Sequence, residues 1–232
     1  MNNHFTYFFI LAGSVVGPLA LSFDKKVAFY KKWKYVFAAM VLPALFYIIW
    51  DGYFAGEHIW FFNEKYIATK ATNYNLPAEE ILFFFIVPYC CTFVYECICT
   101  YFPILQSNKK ADTILWAIAF SVIIIAFLNL KLRYTAYTGI SLALFIFFIL
   151  AFRKYFSSFN STAFLVAYAI ILIPYFIVNG FLTAIPVITY NDTENLAIRI
   201  YTIPIEDAFY GMLLVMMNIV GYEKMLNRTS KH

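Results

Sequence analysis

Long apolar runs alternate with short polar stretches along this chain, and seven runs approach the length that matters: residues 5–23, 35–50, 78–101, 114–130, 134–152, 163–184 and 205–222. A helix crossing the hydrocarbon core of a bilayer needs roughly 20 mostly apolar residues. Lipid offers no partner to unpaired backbone groups, so such runs predict helices. The pattern predicts an all-α integral membrane protein with seven transmembrane helices. The opening "MNNHFTYFF" has no basic residue ahead of the first run and no small-residue cleavage pattern after it, so that run is read as a retained helix.

Composition agrees. Of 232 residues, 63% are hydrophobic, 22% aromatic and only 13% charged, and the mean hydropathy is +0.73. That is too little polar surface to cover a soluble globule. Charge adds an orientation. Lys25, Lys26, Lys31, Lys32 and Lys34 follow the first run, Lys109 and Lys110 the third, Arg153 and Lys154 the fifth, and Lys224, Arg228 and Lys231 the seventh. Twelve of the 17 basic residues thus fall on one side, which the positive-inside rule makes cytoplasmic, with the N-terminus outside and the C-terminus inside. The formal charge of +4 reflects this topology; a cell membrane is the expected location, and no nucleic acid partner is expected.

Five residues recur at one displacement. Pro77, Glu79, Glu80, Tyr95 and Glu96 reappear as Pro204, Glu206, Asp207, Tyr222 and Glu223, each 127 residues later. With one more residue of displacement, "WDG" at 50–52 is echoed by "VNG" at 178–180, and "FFNE" at 61–64 by "TYND" at 189–192. The expected organisation is one membrane domain over 1–232, with a three-helix repeat over about 1–105, a linker helix over about 112–131 and a second repeat over about 134–226. The linker helix restores the direction of the chain, so the two repeats run parallel, related by an axis along the membrane normal.

The repeat also carries the candidate chemistry. "NLPAEEILFF" at 75–84 and "TIPIEDAFYG" at 202–211 each set two adjacent carboxylates behind a proline at the start of an apolar run. Capping is the simplest account, since proline and acids both suit a helix N-terminus. Two features argue for more. Acids are absent from the first, fourth and fifth runs and concentrate at the repeated positions, and an exposed cap does not need two acids in both copies; intramembrane ionisable groups are functional candidates. Adjacent helical residues point about 100° apart, so Glu79, Glu80, Glu206 and Asp207 all remain catalytic candidates. Desolvation and a neighbouring acid favour the protonated form of a carboxyl. With no flavin, metal or nicotinamide signature in the sequence, proton transfer without a cofactor is the chemistry these residues can perform.

"LPAEEILFFFIVPYCCTFVYE" and "IPIEDAFYGMLLVMMNIVGYE", together with "IWFFN" at 59–63, resemble the small integral-membrane lycopene cyclases. That family occurs as heterodimers, as fused single chains and as a domain of fungal bifunctional carotenoid enzymes; two acidic motifs in one chain resemble the fused form. The resemblance implies a lycopene β-cyclase, an intramolecular lyase or isomerase that turns the linear ends of lycopene into β-ionone rings, giving γ-carotene or β-carotene with no net redox change. It implies a proton added to the terminal double bond, attack of the 5,6 double bond on the carbocation, and loss of a proton, from one carbon for a β ring and from another for an ε ring.

On that reading Glu79, Glu80, Glu206 and Asp207 donate or accept the proton. Trp60, Phe61, Phe83, Phe84 and Phe209 lend π faces to the cation, each worth up to about 2 kcal/mol when desolvated, and Asn63 orients a carboxyl. Phe62 and Phe85 offer rings as well, although in a chain with 27 Phe and 19 Tyr most rings are structural. Asp51 and Asn179, at matching places near the ends of the second and sixth runs, either hydrogen-bond the acidic pairs or simply end their helices. One site used twice and two separate sites both remain open. Besides lycopene and the bilayer, other carotenoid enzymes or a second copy of the chain are conceivable partners.

The other reading is a non-catalytic carotenoid-binding subunit or a small proton-coupled transporter. A retinal-type Schiff base needs a lysine inside a helix, and no run carries one in its interior. The lack of a G-x-G sets aside the soluble flavoprotein cyclases as a guide. Glu96 and Glu223 read as structural, pairing with basic residues such as Lys224, and Glu57 with His58 as loop residues. Cys90, Cys91, Cys97 and Cys99 read as packing. Gly13 with Gly17 fits close helix contact, as does Gly52 with Gly56, where an extended loop fits equally.

Overall fold

A computed structural model of the chain describes residues 3–69 and 76–229, with side chains to residue 226. Lys231, used above for the orientation, lies outside the described residues, as does the Arg228 side chain. The helices are α1 (Thr6–Leu21), α2 (Trp33–Gly56), α3 (Ala78–Tyr101), α4 (Lys109–Leu128), α5 (Arg133–Ala151), α6 (Ser161–Ala184) and α7 (Glu206–Thr229). Four short strands complete the order: β1 (Trp60–Phe62) pairs with β2 (Ile188–Tyr190), and β3 (Arg199–Ile200) with β4 (Ile203–Pro204).

Among the described residues, six helical spans are long and apolar enough to cross a membrane, namely α1 with the turn of Asn3–Phe5 ahead of it and α2 to α6, against seven expected. α7 is equally long but carries Glu206 and Asp207 in its first turn and Glu223, Lys224 and Arg228 near its end. Boundaries moved outward where polar residues sit inside helices. α2 continues to Gly56, so Asp51 lies within a helix and does not end it, and Gly52 and Gly56 are helical rather than extended. Asn179 is likewise internal to α6. α4 starts at Lys109 because the Asn108 side chain accepts from the Ala111 amide at 2.9 Å, a cap that starts the helix ahead of the apolar run.

α3 and α7 meet at the centre of the bundle. α1 packs on α3 and α5 on α7, while α2 also reaches across to α7 and α6 across to α3. α7 buries every side chain from Met212 to Met216, as a helix enclosed on all sides does. α4 lies against α5, where a Cβ at Gly139 would stand 2.8 Å from the Val122 carbonyl oxygen; the missing side chain is what lets the two backbones meet. Gly13 and Gly17, by contrast, have nothing within 4 Å of an added Cβ. The close contact expected of that pair is not made among the described residues.

Two features tie the halves reciprocally. In the β1–β2 pair Phe61 faces Thr189, its counterpart in the echoed motif, with Trp60 opposite Tyr190 and Phe62 opposite Ile188. Antiparallel pairing about a self-matched centre is the pattern of a two-fold relation. At the far ends of α3 and α7, Tyr95 donates to Glu223 at 2.9 Å and Tyr222 to Glu96 at 2.5 Å. Lys32 forms an ion pair with Glu96. Lys224, the partner expected for these acids, donates instead to the Tyr155 carbonyl at 2.7 Å.

Candidate active site

Pro77 and Pro204 stand just ahead of α3 and α7, and all four acids behind them are buried. That removes the exposed-cap account. The two members of each pair then diverge, as the rotation between adjacent helical residues requires. Glu79 turns to its preceding loop, accepting from the Ala68 amide at 2.6 Å and the Thr69 hydroxyl at 2.7 Å. Glu206 does the equivalent, accepting from the Leu196 amide at 2.8 Å and the Thr135 hydroxyl at 2.6 Å through one oxygen. Glu79 thus ties residues 68 and 69 to α3, and Glu206 ties Leu196 and the first turn of α5 to α7.

Glu80 and Asp207 turn inward, to a cavity of about 40 Å3 whose walls include Asp51, Trp60, Phe83 and Tyr210. A space of that size holds water but no larger group. Each inner acid receives a phenol from the first helix of its own half. Tyr7 donates to Glu80 at 2.6 Å, and Tyr134, 127 residues later, donates to Asp207 at 2.5 Å. Asp207 accepts a second phenol, from Tyr190 at 2.8 Å. Burial, and then the Asp207 carboxyl beside it, hold the Tyr190 phenol well above its ordinary pKa, so it remains an O–H donor.

The halves differ beyond this. Asp51 accepts a short hydrogen bond from Tyr210 of the other half and shares the cavity wall with Glu80. The Tyr7–Glu80 and Tyr210–Asp51 pairs thus bring two phenol-bound acids to one cavity. At the equivalent places in the other half stand Asn179, which lines the cavity beside Tyr175, and Phe83, which has no polar group to offer. Tyr175 itself donates to the Asp207 carbonyl at 2.6 Å, and Tyr47 to the Tyr210 carbonyl at 2.9 Å.

Of the aromatic candidates, Trp60 and Phe83 reach the cavity, and Phe62 does too. Phe61 is exposed and stacks on His58. Phe84 is buried behind the cavity against Tyr47, and Phe209 packs in the core without lining the cavity. The Asn63 side chain accepts from the Lys65 amide at 3.1 Å in a turn, and among the described residues no hydrogen bond joins it to a carboxyl. The group that the sequence reading passed over is the tyrosines. Tyr7 and Tyr134 share the 127-residue displacement of the acids, and Tyr47 and Tyr175 share the 128-residue displacement of Asp51 and Asn179; that coincidence was their available signal.

At the start of α5 a polar clamp closes the same end. Arg133 binds Glu194 through two bonds of 2.8 Å and Glu57 at 2.6 Å. Hydrogen bonds from that guanidinium hold the Glu194 carboxyl below its ordinary pKa. Arg199 pairs with Asp192, and the β1–β2 pair lies beside the clamp, with the Asn191 amide donating to the Ile59 carbonyl at 2.9 Å.

Residues 4–98 and again 131–225 match the family described as Lycopene cyclase, the second match displaced from the first by 127 residues. Neither a curated protein nor a solved structure matches the chain.

Proposed function

Because the chain belongs to the lycopene cyclase family, we propose that it cyclises the linear ends of lycopene to β-ionone rings by a proton-initiated reaction without redox change. The observation that carries this reading is the meeting of Glu80, Asp51 and Asp207 in one buried cavity, two of them at the repeated acidic positions. In this account Glu80, with Asp51 beside it in the cavity wall, delivers a proton to the terminal double bond. The 5,6 double bond attacks the resulting tertiary cation and closes the ring. Asp207, which accepts from two phenols and donates to none, takes up the proton released from the ring carbon. One proton enters the substrate and one leaves, so no oxidant or cofactor enters the balance.

Trp60 and Phe83 stand where the cation forms, and a desolvated ring face attracts a cation by up to about 2 kcal/mol. The mostly apolar wall of the cavity, with substrate in place of water, limits trapping of the cation as an alcohol. We further take α7 to be a seventh span, with the acids at the outer side of a cell membrane and the N-terminus outside. Its charges lie at its two ends, and its apolar middle is buried by the other helices.

The test is pigment chromatography of a lycopene-accumulating bacterial host expressing the chain. Glu80→Gln and Asp207→Asn at matched membrane levels are expected to abolish ring formation, and Asp51→Asn to lower it by about 10²-fold or more, the usual worth of a positioned acid. Ringed products from the Glu80→Gln chain at the native level would overturn the assignment.

A further inference from the structure

A second space abuts the acid cavity. It is a cleft of about 180 Å3 between α1, α3 and α6, walled by residues such as Ser14, Pro18, Cys91, Val94, Pro174 and Val178. It shares Phe83, Val87, Tyr175 and Asn179 with the cavity. Val16 of α1 and Ile173 and Ile177 of α6, beside it, are exposed apolar side chains, as a lipid-facing surface requires. The few polar groups in its wall are already committed: the Ser14 hydroxyl donates to the Leu11 carbonyl at 2.7 Å, and the Cys90 thiol to the Ser14 carbonyl at 3.6 Å.

The equivalent position in the other half lies between α2 and α5, and it is different. Ser141 matches Ser14, but Phe46 stands for Pro174 and Trp50 for Val178. Trp50 is buried and packs on Phe46, Phe54 and Tyr210 at ring separations of 5.2, 5.5 and 5.6 Å. The groove left there by Phe46, Trp50 and Tyr137 shares no wall residue with the acid cavity. One half is open towards the acids where the other is plugged.

We propose that, among the described residues, the cleft between α1, α3 and α6 is the lateral portal through which a linear polyene end passes from the lipid to the acids, and that Trp50 closes its counterpart. This rests on the cyclase reading for the identity of the occupant, a long apolar chain without polar groups. The cavity alone is too small for a ring-forming end, and the cleft adjoins it across the shared side chains Phe83, Val87, Tyr175 and Asn179. A substrate with two linear ends therefore presents them one after the other at the same opening.

The experiment transfers the plug. Val178→Trp on α6 and, independently, Val94→Phe on α3 are expressed in the lycopene-accumulating host, with Ile124→Trp, on the exposed face of α4 away from both spaces, as the control of equal bulk. Ring formation is expected to be lost in the two portal variants and kept in Ile124→Trp, with all three monodisperse in detergent. A second readout does not depend on chemistry. Lycopene is expected to copurify with the Glu80→Gln protein and to be lost when Val178→Trp is added. Native ring formation by a monodisperse Val178→Trp protein overturns the portal while leaving the cyclase reading intact. So does lycopene retention that ignores the plug, or a Glu80→Gln protein that retains only phospholipid. If the unaltered chain forms no ring yet holds lycopene in a plug-dependent way, the portal stands and the acid-initiated reading falls.

Discussion

Tyr134 donates a 2.5 Å hydrogen bond to Asp207, and 127 residues earlier Tyr7 makes the same bond to Glu80 at 2.6 Å. The second residue of each acidic pair is thus held by a phenol from the first helix of its own half. In both places the phenol is a buried donor to a buried acid, where an unmatched partner is costly.

Removing either phenol is expected to loosen its acid. Tyr7→Phe and Tyr134→Phe each leave a buried acceptor short of one donor, which costs about 1–3 kcal/mol of stability. Tyr7→Phe is expected to impair cyclisation more, because Asp207 keeps its bond from Tyr190 while Glu80 loses its one phenol. Parallel thermal unfolding and pigment analysis of the two variants would separate the effects; equal loss of activity at equal stability would count against the asymmetry.

The outer acids should behave as anchors. Glu206 uses one oxygen for both of its hydrogen bonds and leaves the other buried and unpaired. Glu206→Gln retains the accepting oxygen, so activity near that of the native chain is expected. Glu79→Ala strips acceptors from Ala68 and Thr69, and should lower the thermal midpoint by an amount corresponding to about 1–3 kcal/mol while activity per folded molecule stays close to native. Loss of cyclisation in a fully stable Glu79→Ala protein would place Glu79 in the chemistry after all.

Packing supplies a prediction that touches no polar group. A methyl at Gly139 would meet the Val122 carbonyl oxygen and the Ala126 side chain at 2.8 and 2.9 Å. Because both obstacles belong to a neighbouring helix backbone or its short side chain, the helices must separate, and overpacking of this sort costs about 1–3 kcal/mol. Gly139→Ala is expected to lower the thermal midpoint and membrane yield; an unchanged midpoint would mean that α4 moves freely against α5.

The clamp at Arg133 predicts a response to acid. Glu194 lies outside the helices, with its carboxyl held below the ordinary value chiefly by hydrogen bonds from Arg133. A depressed folded-state value means that this contribution to stability is complete above the unfolded value, about 4.3 for a glutamate, and disappears as pH falls through the folded value. The thermal midpoint of the native protein should therefore fall below about pH 4 more steeply than that of Glu194→Gln, which should already be lower at neutral pH. Identical profiles for the two proteins would remove the clamp from the acid response.

What the sequence determined by itself was local or repetitive. Apolar runs marked α1 to α6 because a lipid environment demands uninterrupted helices of nearly fixed length. The acidic pairs stood out because a carboxyl in such a run is scarce, and the 127-residue displacement tied one pair to the other. A tyrosine carries no such signal in a chain with 19 of them, so Tyr7 and Tyr134 went unremarked despite having the same displacement.

The tertiary structure decided which member of each pair faces inward. Adjacent residues share the same local pattern, and only the position of the neighbouring helices distinguishes Glu80 from Glu79 and Asp207 from Glu206. It also decided the crossing of α2 onto α7, which brings Asp51 to Tyr210 across 159 residues of chain. Periodicity reports which face of a helix is apolar. It does not report which helix that face will meet, because that choice is made by the packing of the whole bundle. The plug at Trp50 is of the same kind: a tryptophan in an apolar run becomes a barrier only where another half of the molecule leaves the matching position open.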